Sequence, residues 1–427
     1  MDKNIAVIIL AAGKGERMKS EIPKVLHQLC GRPMLEYVFE LVKDLKIKKP
    51  ITVLGHRYQE VRKSISRVEK VVIQKRLLGT ADAVKCAESE LKGFKGTVLV
   101  LYADIPLLRK ESIDKLLKYH IENNVDATIL TAQLDKPSGY GRILRDKYSS
   151  VSGIVEEKDA DDFQKDIKEI NTGIICFKNE SLSEGLKYIR PNNRKKEYYL
   201  TDIISILYKK GKLIDSLRLS DSSEALGINS RCELSEANAL MQKRINEDFM
   251  QKGITIIDPG STFISYGVKI GRDTTIYPFT VIERGVKIGK RCSLGPFAHL
   301  REGSELKDDV TLGNFLEVVR SKISSKTIAK HFCYLGDSRI GQNVNIGAGT
   351  VTANFNRGKK NITVIKDMAN IGSDTVFVAP VKIGKGAITG AGSVVTKHTK
   401  VKDWATVAGV PARVLKSSKM SLVSRSK

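Results

Sequence analysis

"VKIGRDTTIYPFTVIERGVKIGKRCSLGPFAHLREGSELKDDVTLGNFLEV", residues 268–318, carries an aliphatic residue at every sixth position. Ile270, Ile276, Ile282, Ile288, Leu294, Leu300, Leu306, Leu312 and Val318 form an unbroken series. An α-helix repeats its buried face about every 3.6 residues and a half-buried strand every second residue, so neither gives this period. A hexapeptide parallel β-helix does, because each short strand sends one aliphatic side chain into a triangular core. Glycines in "IGR", "IGK", "LGP" and "LGN" supply its corners. After an interruption near residues 321–333 the pattern resumes in "RIGQNVNIGAGTV", "ANIGSD" and "VKIGKGAITGAGSVV". The alternative, a β-sandwich with accidental spacing, would have to produce this run by chance. A solenoid leaves faces exposed that commonly assemble further, so a homotrimer is expected.

Upstream the period changes. Residues 231–252, "RCELSEANALMQKRINEDFMQK", place Leu234, Leu240, Met241, Ile245, Phe249 and Met250 near helical spacing, with Gly253 as a stop. We read 231–252 as a linker helix between an N-terminal domain over 1–230 and the β-helix over 253–427. In the N-terminal domain "IAVIIL", "ITVLG", "VVIQ", "TVLVLY", "ATILTA" and "GIICF" alternate with helix-length pieces such as "PMLEYVFELVKDL" and "KESIDKLLKYHIENN". That alternation predicts an α/β, Rossmann-like fold with a mainly parallel sheet, whose ligands sit beyond the carboxyl ends of the strands.

At 427 residues the chain exceeds one core. No apolar run approaches the roughly 20 residues of a membrane span. "IAVIIL" is too short for a secretory segment and lacks an upstream basic stretch, so a cytoplasmic location is expected. Six cysteines lie far apart without zinc-ligand spacing and read as reduced, mostly buried thiols. The net charge of +24 is spread along the chain, with only short runs such as "KIKK" and "RKK" and little aromatic interleaving. Such a charge admits nucleic acid, an anionic membrane face or polyanionic small substrates, and attraction of nucleotides and sugar phosphates accounts for it more simply than nucleic-acid binding. The basic C-terminal "KSSKMSLVSRSK" reads as a frayed tail.

"LAAGKGERMKSEIPK", residues 10–24, follows the first strand. It lacks the P-loop pattern, and Met18 stands where a Rossmann fingerprint would place its last glycine. Gly13 and Gly15 offer backbone donors, and Arg17 and Lys24 offer two cations that can surround a triphosphate and stabilise charge on an attacked α-phosphoryl group. A strand-to-helix turn with ordinary surface cations fits the same spacing. Asp104, in "YADIPL" at the end of "TVLVLY", is alone an ordinary strand-end carboxylate.

The stretch 10–24 resembles the signature of sugar-1-phosphate nucleotidyltransferases, and "GRPML" at 31–35 fits the same family. From first strand to last coil the chain resembles, more specifically, the bifunctional N-acetylglucosamine-1-phosphate uridylyltransferase/glucosamine-1-phosphate N-acetyltransferase family. The resemblance implies an α/β nucleotidyltransferase domain followed by a left-handed parallel β-helix. It implies acetyl transfer from acetyl-CoA to glucosamine 1-phosphate. Magnesium-dependent uridylyl transfer from UTP to N-acetylglucosamine 1-phosphate then releases pyrophosphate. Family uridine contacts fall on Leu10, Ala12, Gly13, Gln74, Gly79 and Thr80, and phosphate chemistry on Arg17 and Lys24. The magnesium ligands fall on Asp104 and Asn229. Sugar contacts fall on Gly141, Glu156, Asn171, Tyr199 and Thr201, with Asn229 at the sugar phosphate.

For acetyl transfer the resemblance implies His331, in "AKHFCYLGD", as the base that deprotonates the amine, with Glu317 orienting its imidazole. Amino-sugar phosphate contacts fall on Arg301, Tyr334, Asn345 and Lys360. Acetyl-CoA contacts fall on Ala348, Asn354, Phe355, Ser373 and Ala391. Four positions depart from the family. Ala103 replaces a glycine, Val319 a lysine at the sugar phosphate, Phe355 a tyrosine, and Gly409 an arginine, with Arg413 four residues on. Losing one charge-assisted phosphate contact typically costs about 1.5–3 kcal/mol, which predicts weaker binding more readily than lost chemistry. Arg320, one step from Val319, is expected on the opposite face of the strand. The segment between Gly253 and "GPFAHL" is shorter than in the family, implying fewer coils. Two other readings stay open here. One is nucleotidyl transfer alone, with a β-helix that serves only trimerisation. The other is a non-catalytic scaffold of the same two folds, against which intact Arg17, Lys24, Asp104 and Asn229 argue.

Overall fold

The computed structural model describes residues 4–65 and 70–415, and the basic tail over 416–427 lies outside them. The chain divides into two compact units, Met1–Leu240 and Met241–Lys427. The division falls inside a 21-residue helix, Arg231–Gln251.

The first unit is built on nine strands: β1 (Ile5–Ala11), β2 (Ile51–Leu54), β3 (Lys70–Ile73), β4 (Thr97–Tyr102), β5 (Ala127–Gln133), β6 (Gly141–Arg145), β7 (Val151–Val155), β8 (Glu169–Lys178) and β9 (Ile214–Arg218). The sheet runs β9-β5-β8-β4-β1-β2-β3. β1 lies parallel to β2 and β4, β2 to β3, and β5 to β9, whereas β8 is antiparallel to both neighbours. The sheet is therefore mainly parallel, as the sequence implies. The β6–β7 hairpin joins it through β8. Gly141 and Gly153 break the apolar runs of that hairpin, which hides it from a periodicity reading.

Central strands are apolar on both faces because helices cover both. Val7 and Ile9 pack with residues of helices Met34–Asp44 and Lys110–Glu122. Ile8 and Leu10 pack with residues of helices Thr80–Cys86 and Asp202–Lys209. Because β1 and β4 are adjacent and parallel, their carboxyl ends emerge side by side. The Ala103 N–H donates to the Leu10 carbonyl at 3.0 Å, which sets Asp104 beside the glycine loop.

The second unit is a three-sided parallel β-helix. Its first face begins at Thr255–Ile256, its second at Phe263–Ile264 and its third at Lys269–Ile270. Ile276, Ile282, Leu294, Leu300, Leu312 and Val318 are fully buried, each contributing about 1.5–3 kcal/mol of transfer free energy. The residue stacked above moves through Ile288↔Leu306, then Leu306↔Ile323, then Ile340↔Ile365 and Ile365↔Ile383. The interruption expected near 321–333 is thus no break in the solenoid. One residue is missing from each of two successive corners between the second and third faces, at Val319–Ser321 and Gly336–Ser338, where Arg320 and Asp337 take the left-handed conformation (φ 49° and 48°). At the same corner one coil later, an added segment folds into a hairpin of Phe355–Asn356 against Lys359–Lys360. The first coil is capped by Asn246, fully buried, whose amide donates to the carbonyls of Pro259 (2.9 Å) and Thr262 (3.0 Å).

All six cysteines are free. Cys176, Cys292 and Cys333 are buried, Cys30 and Cys86 half-buried, and Cys232 exposed. Burial pushes the Cys30 and Cys333 thiols up to about 12. Among the described residues no helix is long and apolar enough to cross a membrane.

Candidate functional site

A cavity of about 690 Å³ opens at the carboxyl ends of β1 and β4. Leu10, Ala12, Gly13, Arg17, Lys24, Gln74, Gly79, Thr80, Asp104 and Asn229 all line it. Two glycines shape its walls. Gly15 is left-handed (φ 68°), and a Cβ there would come within 2.6 Å of the Lys24 Cβ, so the loop closes over the lysine. Gly79 has φ 118° and a Cβ there would lie 2.4 Å from the Tyr198 carbonyl. That close approach fastens the 78–81 loop to residues 198–200. Ala81 N–H donates to the Tyr198 carbonyl (2.9 Å), Tyr198 N–H to that of Leu78 (2.7 Å), and Leu200 N–H to Thr80 Oγ1 (2.9 Å). Gln74 Nε2 donates to the Gly79 carbonyl (3.0 Å) and Asp82 Oδ2 (2.8 Å), so these contacts leave its carboxamide oxygen to accept from a ligand.

At the phosphate end the Lys24 ammonium donates to Asn229 Oδ1 at 2.6 Å and to the Asp104 carboxylate. Asn229 is held in turn by Glu233, whose Oε2 accepts from the backbone N–H of Asn229 (2.7 Å) and Ser230 (2.6 Å) at the start of the long helix. An anionic and an amide oxygen thus converge on one cation. This is the donor chemistry a hard divalent ion takes, with the remaining positions left to phosphate and water.

Deeper in the unit, Glu156 accepts from Thr201 Oγ1 (3.0 Å), and Asn171 pairs with Gly141 across β8 and β6. None of these residues, nor Tyr199, lines the cavity, and the Glu156 charge acts on Tyr102, which does line it. Burial raises the Glu156 pKa above the ordinary carboxylate value. Burial, with the charges of Glu156 and Asp159, pushes Asp202 up to about 6. Sequence reading passed over Tyr102, Lys158, Lys195 and Asp202. Tyr102 stands two residues before Asp104, and Lys195 lies in the "RKK" run four residues before Tyr199.

In the β-helix the expected residues fall into two groups. His331, Ala348, Ser373 and Ala391 occupy equivalent positions on successive coils at the corner between the first and second faces. The Gly349 N–H donates to the Phe332 carbonyl, Asp374 N–H to that of Ala348, and Gly392 N–H to that of Ser373. A cavity of about 490 Å³ there is lined by His331, Asn345, Ala348 and Ser373 among others. Arg301, Glu317, Tyr334 and Asn354 belong instead to the second face and its far edge. Arg301 Nη1 bonds Glu317 Oε1 at 2.7 Å, and Asn354 Nδ2 donates to Tyr334 Oη at 3.3 Å. Lys360 and Phe355 lie opposite each other in the added hairpin.

One expectation is corrected here, and another is not met within a single chain. Glu317 Oε1 is engaged by Arg301, and Glu317 belongs to a different group from His331 on the same chain. Arg320 does not turn away from the site. It stands on a left-handed corner rather than in a strand, and its guanidinium grips Asp337 through two bonds (2.7 and 2.8 Å). Asp337 also accepts from Asn354, so Arg320 joins the Tyr334–Asn354 group. Val319 is buried, leaving no side chain of its own for a ligand.

A family profile for a MobA-like NTP transferase domain matches residues 7–166, and one for a bacterial transferase hexapeptide of six repeats matches residues 267–302. The bifunctional protein GlmU of Thermosipho africanus is 46% identical to this chain, the match covering 93% of the chain and 96% of that protein. The corresponding protein of a Geobacillus species is 43% identical over 91% and 92%. The chain belongs to the GlmU family. The bifunctional protein GlmU of Shouchella clausii is 42% identical over 91% and 93%. As a GlmU-family member the chain is a bifunctional transferase of UDP-N-acetylglucosamine synthesis, with uridylyltransferase and acetyltransferase activities. Its fold is an α/β nucleotidyltransferase domain followed by a left-handed parallel β-helix. The scaffold and single-activity readings fall with that membership.

Proposed function

We propose that uridylyl transfer runs in the cavity over β1 and β4. The observation that carries this assignment is the convergence of Lys24, Asp104 and Asn229 on one point at its phosphate end. Uracil is read by the free carboxamide oxygen of Gln74 and by backbone groups of the 10–13 and 79–80 loops. Asp104 and Asn229 would hold magnesium, and Lys24, which bonds those two oxygens here, would then be free to bind phosphate. Magnesium, when bound, supplies a divalent charge shared with phosphate oxygens. Arg17 and Lys24 stabilise negative charge building at the α-phosphoryl group as the sugar phosphate attacks and pyrophosphate leaves. Glu156, Asn171, Thr201, Tyr199 and the Gly141 backbone orient N-acetylglucosamine 1-phosphate.

Acetyl transfer belongs to the β-helix, with His331 taking the proton that the glucosamine 1-phosphate amine loses on attacking the thioester. The corner of Ala348, Ser373 and Ala391 is a one-sided track for acetyl-CoA, with Asn354 and Phe355 at the hairpin. Arg301, Tyr334, Asn345 and Lys360 bind the amino-sugar phosphate. Because these residues form two groups, the second wall of the site comes from another copy in a homotrimer. Two further features support assembly: the uncharged row on the first face, and the exposed stack of Phe279, Phe297 and Phe315 at the corner it shares with the second (centroids 4.8 Å apart). The location is cytoplasmic.

A two-part assay tests this reading. UTP, magnesium and N-acetylglucosamine 1-phosphate should yield pyrophosphate that vanishes with a chelator, and pyrophosphate release that survives chelation removes the metal site. Acetyl-CoA and glucosamine 1-phosphate should yield free CoA from the trimer. A protein that light scattering shows to be a monomer, yet fully active in this second reaction, removes the shared-site reading.

A further inference from the structure

We propose that the third face of the β-helix is a docking surface for the anionic headgroups of a phospholipid bilayer. Each coil presents one outward residue at the same height on each face, which makes three straight rows. On the third face the row runs through Lys269, Lys287, Lys322, Arg339, Lys382 and Lys400, interrupted by Glu305 and Val364. All six cations are exposed. Adjacent strands lie about 4.8 Å apart, so the row extends roughly 34 Å in a line.

The other two faces differ in kind. The first carries threonine, serine, asparagine and isoleucine, from Thr255 to Thr406, and no charge. The second carries one carboxylate, Glu317, and one histidine, His299. Even spreading of a +24 chain would charge all three faces alike. Glu305, engaged by Lys307 and Lys322, is the row's own carboxylate. Among the described residues, Lys269, Lys287, Arg339, Lys382 and Lys400 have no carboxylate within ion-pair distance. No residue assigned above to either chemistry lies in the strands of this face.

The shape selects the partner. The row offers no aromatic side chain on which a base could stack and no groove to track a strand, both of which single-strand binders use. Coplanar cations on a flat sheet match a surface that is anionic in two dimensions, and four to eight clustered Lys/Arg suffice for recognition of anionic lipid.

The test is co-sedimentation of the full chain with phosphatidylglycerol-containing vesicles, with phosphatidylcholine vesicles as control. Binding should appear only with the anionic lipid and weaken steeply with added salt. Each cation near an anionic leaflet is worth a factor of about five in partitioning, so Lys287→Gln/Lys322→Gln/Lys382→Gln should lose on the order of 100-fold. Acetyl transfer in that variant should be unchanged, which shows that the β-helix carrying the substitutions is folded. Lys92→Gln/Lys118→Gln/Lys209→Gln removes the same charge from the first unit and should bind vesicles almost as well as the parent. Three outcomes overturn the proposal: no retention on anionic vesicles, equal loss in both triple variants, or tighter binding of the same face to single-stranded RNA than to vesicles.

Discussion

The cavity over β1 and β4 and the β-helix corner, each proposed above to hold a phosphorylated substrate, have opposite geometries. In the α/β unit the carboxyl ends of adjacent strands release loops toward one point, so residues as distant in sequence as Lys24, Asp104 and Asn229 meet within hydrogen-bond distance. In the β-helix, residues on successive coils can only align in rows. His331, Ala348, Ser373 and Ala391 make one row, and His299, Glu317 and Tyr334 make another, with Arg301 bonding Glu317 from beside it. A row is a wall and not a pocket. A convergent fold can complete a site within one chain, whereas a repetitive fold needs a second wall from an insertion or from another copy.

The sharpest way to break that comparison is to remove one group from each site and read both reactions. His331→Ala should lower acetyl-transfer kcat/KM by roughly 10²–10⁴, the range for a lost general base, and leave uridylyl transfer untouched. Coupled losses would show that the two units are not independent. Lys24→Ala should give the mirror result, a drop of about 10²–10³ in uridylyl transfer as one charge-stabilising donor is lost. It should also raise magnesium affinity, measured by titration calorimetry, because the ammonium no longer competes for Asp104 and Asn229. Unchanged magnesium affinity would remove the competition argument even if activity fell.

How much was legible beforehand follows the same division. The six-residue period names the β-helix outright, because every coil repeats one burial demand and the structure buries nearly every residue in the series. The glycine loop and Asp104 are legible because strand ends fix where they emerge. Arg320 was misread because a one-residue deletion converts what looks like a strand position into a left-handed corner, and that conversion changes where the side chain points. Glu317 is not stacked on His331 within one chain, because fourteen residues separate them while a coil there takes seventeen, so its register partner is Tyr334. Tyr102 and Asp202 matter through burial and neighbouring charge, neither of which leaves a periodic trace.

Gly79→Ala sharpens the claim that convergence depends on loops held at fixed approach. With φ at 118° and the Tyr198 carbonyl 2.4 Å from where a Cβ would sit, alanine forces the 78–81 loop off residues 198–200. A strained backbone position of this kind costs about 1–3 kcal/mol, so the UTP KM should rise roughly 5- to 100-fold with little change in acetyl transfer. Gly13→Ala is the control, since nothing lies within 4 Å of a Cβ there. Equal damage from both would mean that the loop's chemistry, and not its docking, is being measured.

The smallest effect probes the electrostatics that convergence imposes. Asp202 opens the helix Asp202–Lys209, where the helix dipole favours a carboxylate. Burial and the adjacent Glu156 and Asp159 override that preference and hold its pKa at about 6, against about 3.9 in an unfolded chain. The folded state therefore binds this proton more tightly. The stability it contributes is complete below pH 4 and is lost as pH rises toward and through 6. Asp202→Asn should then stabilise the first unit at pH 7 by about 1 kcal/mol, a figure reduced from the full shift because the carboxyl is partly exposed and screened. The variant should also flatten the decline in stability between pH 4 and 6. Urea unfolding followed by loss of uridylyl transfer on rapid dilution reads this unit alone, and loss of acetyl transfer reads the β-helix, whose transition should not move. A variant with unchanged pH dependence in the first unit would mean that the helix dipole outweighs the neighbouring charges, and that crowding carboxylates into one pocket costs this fold nothing.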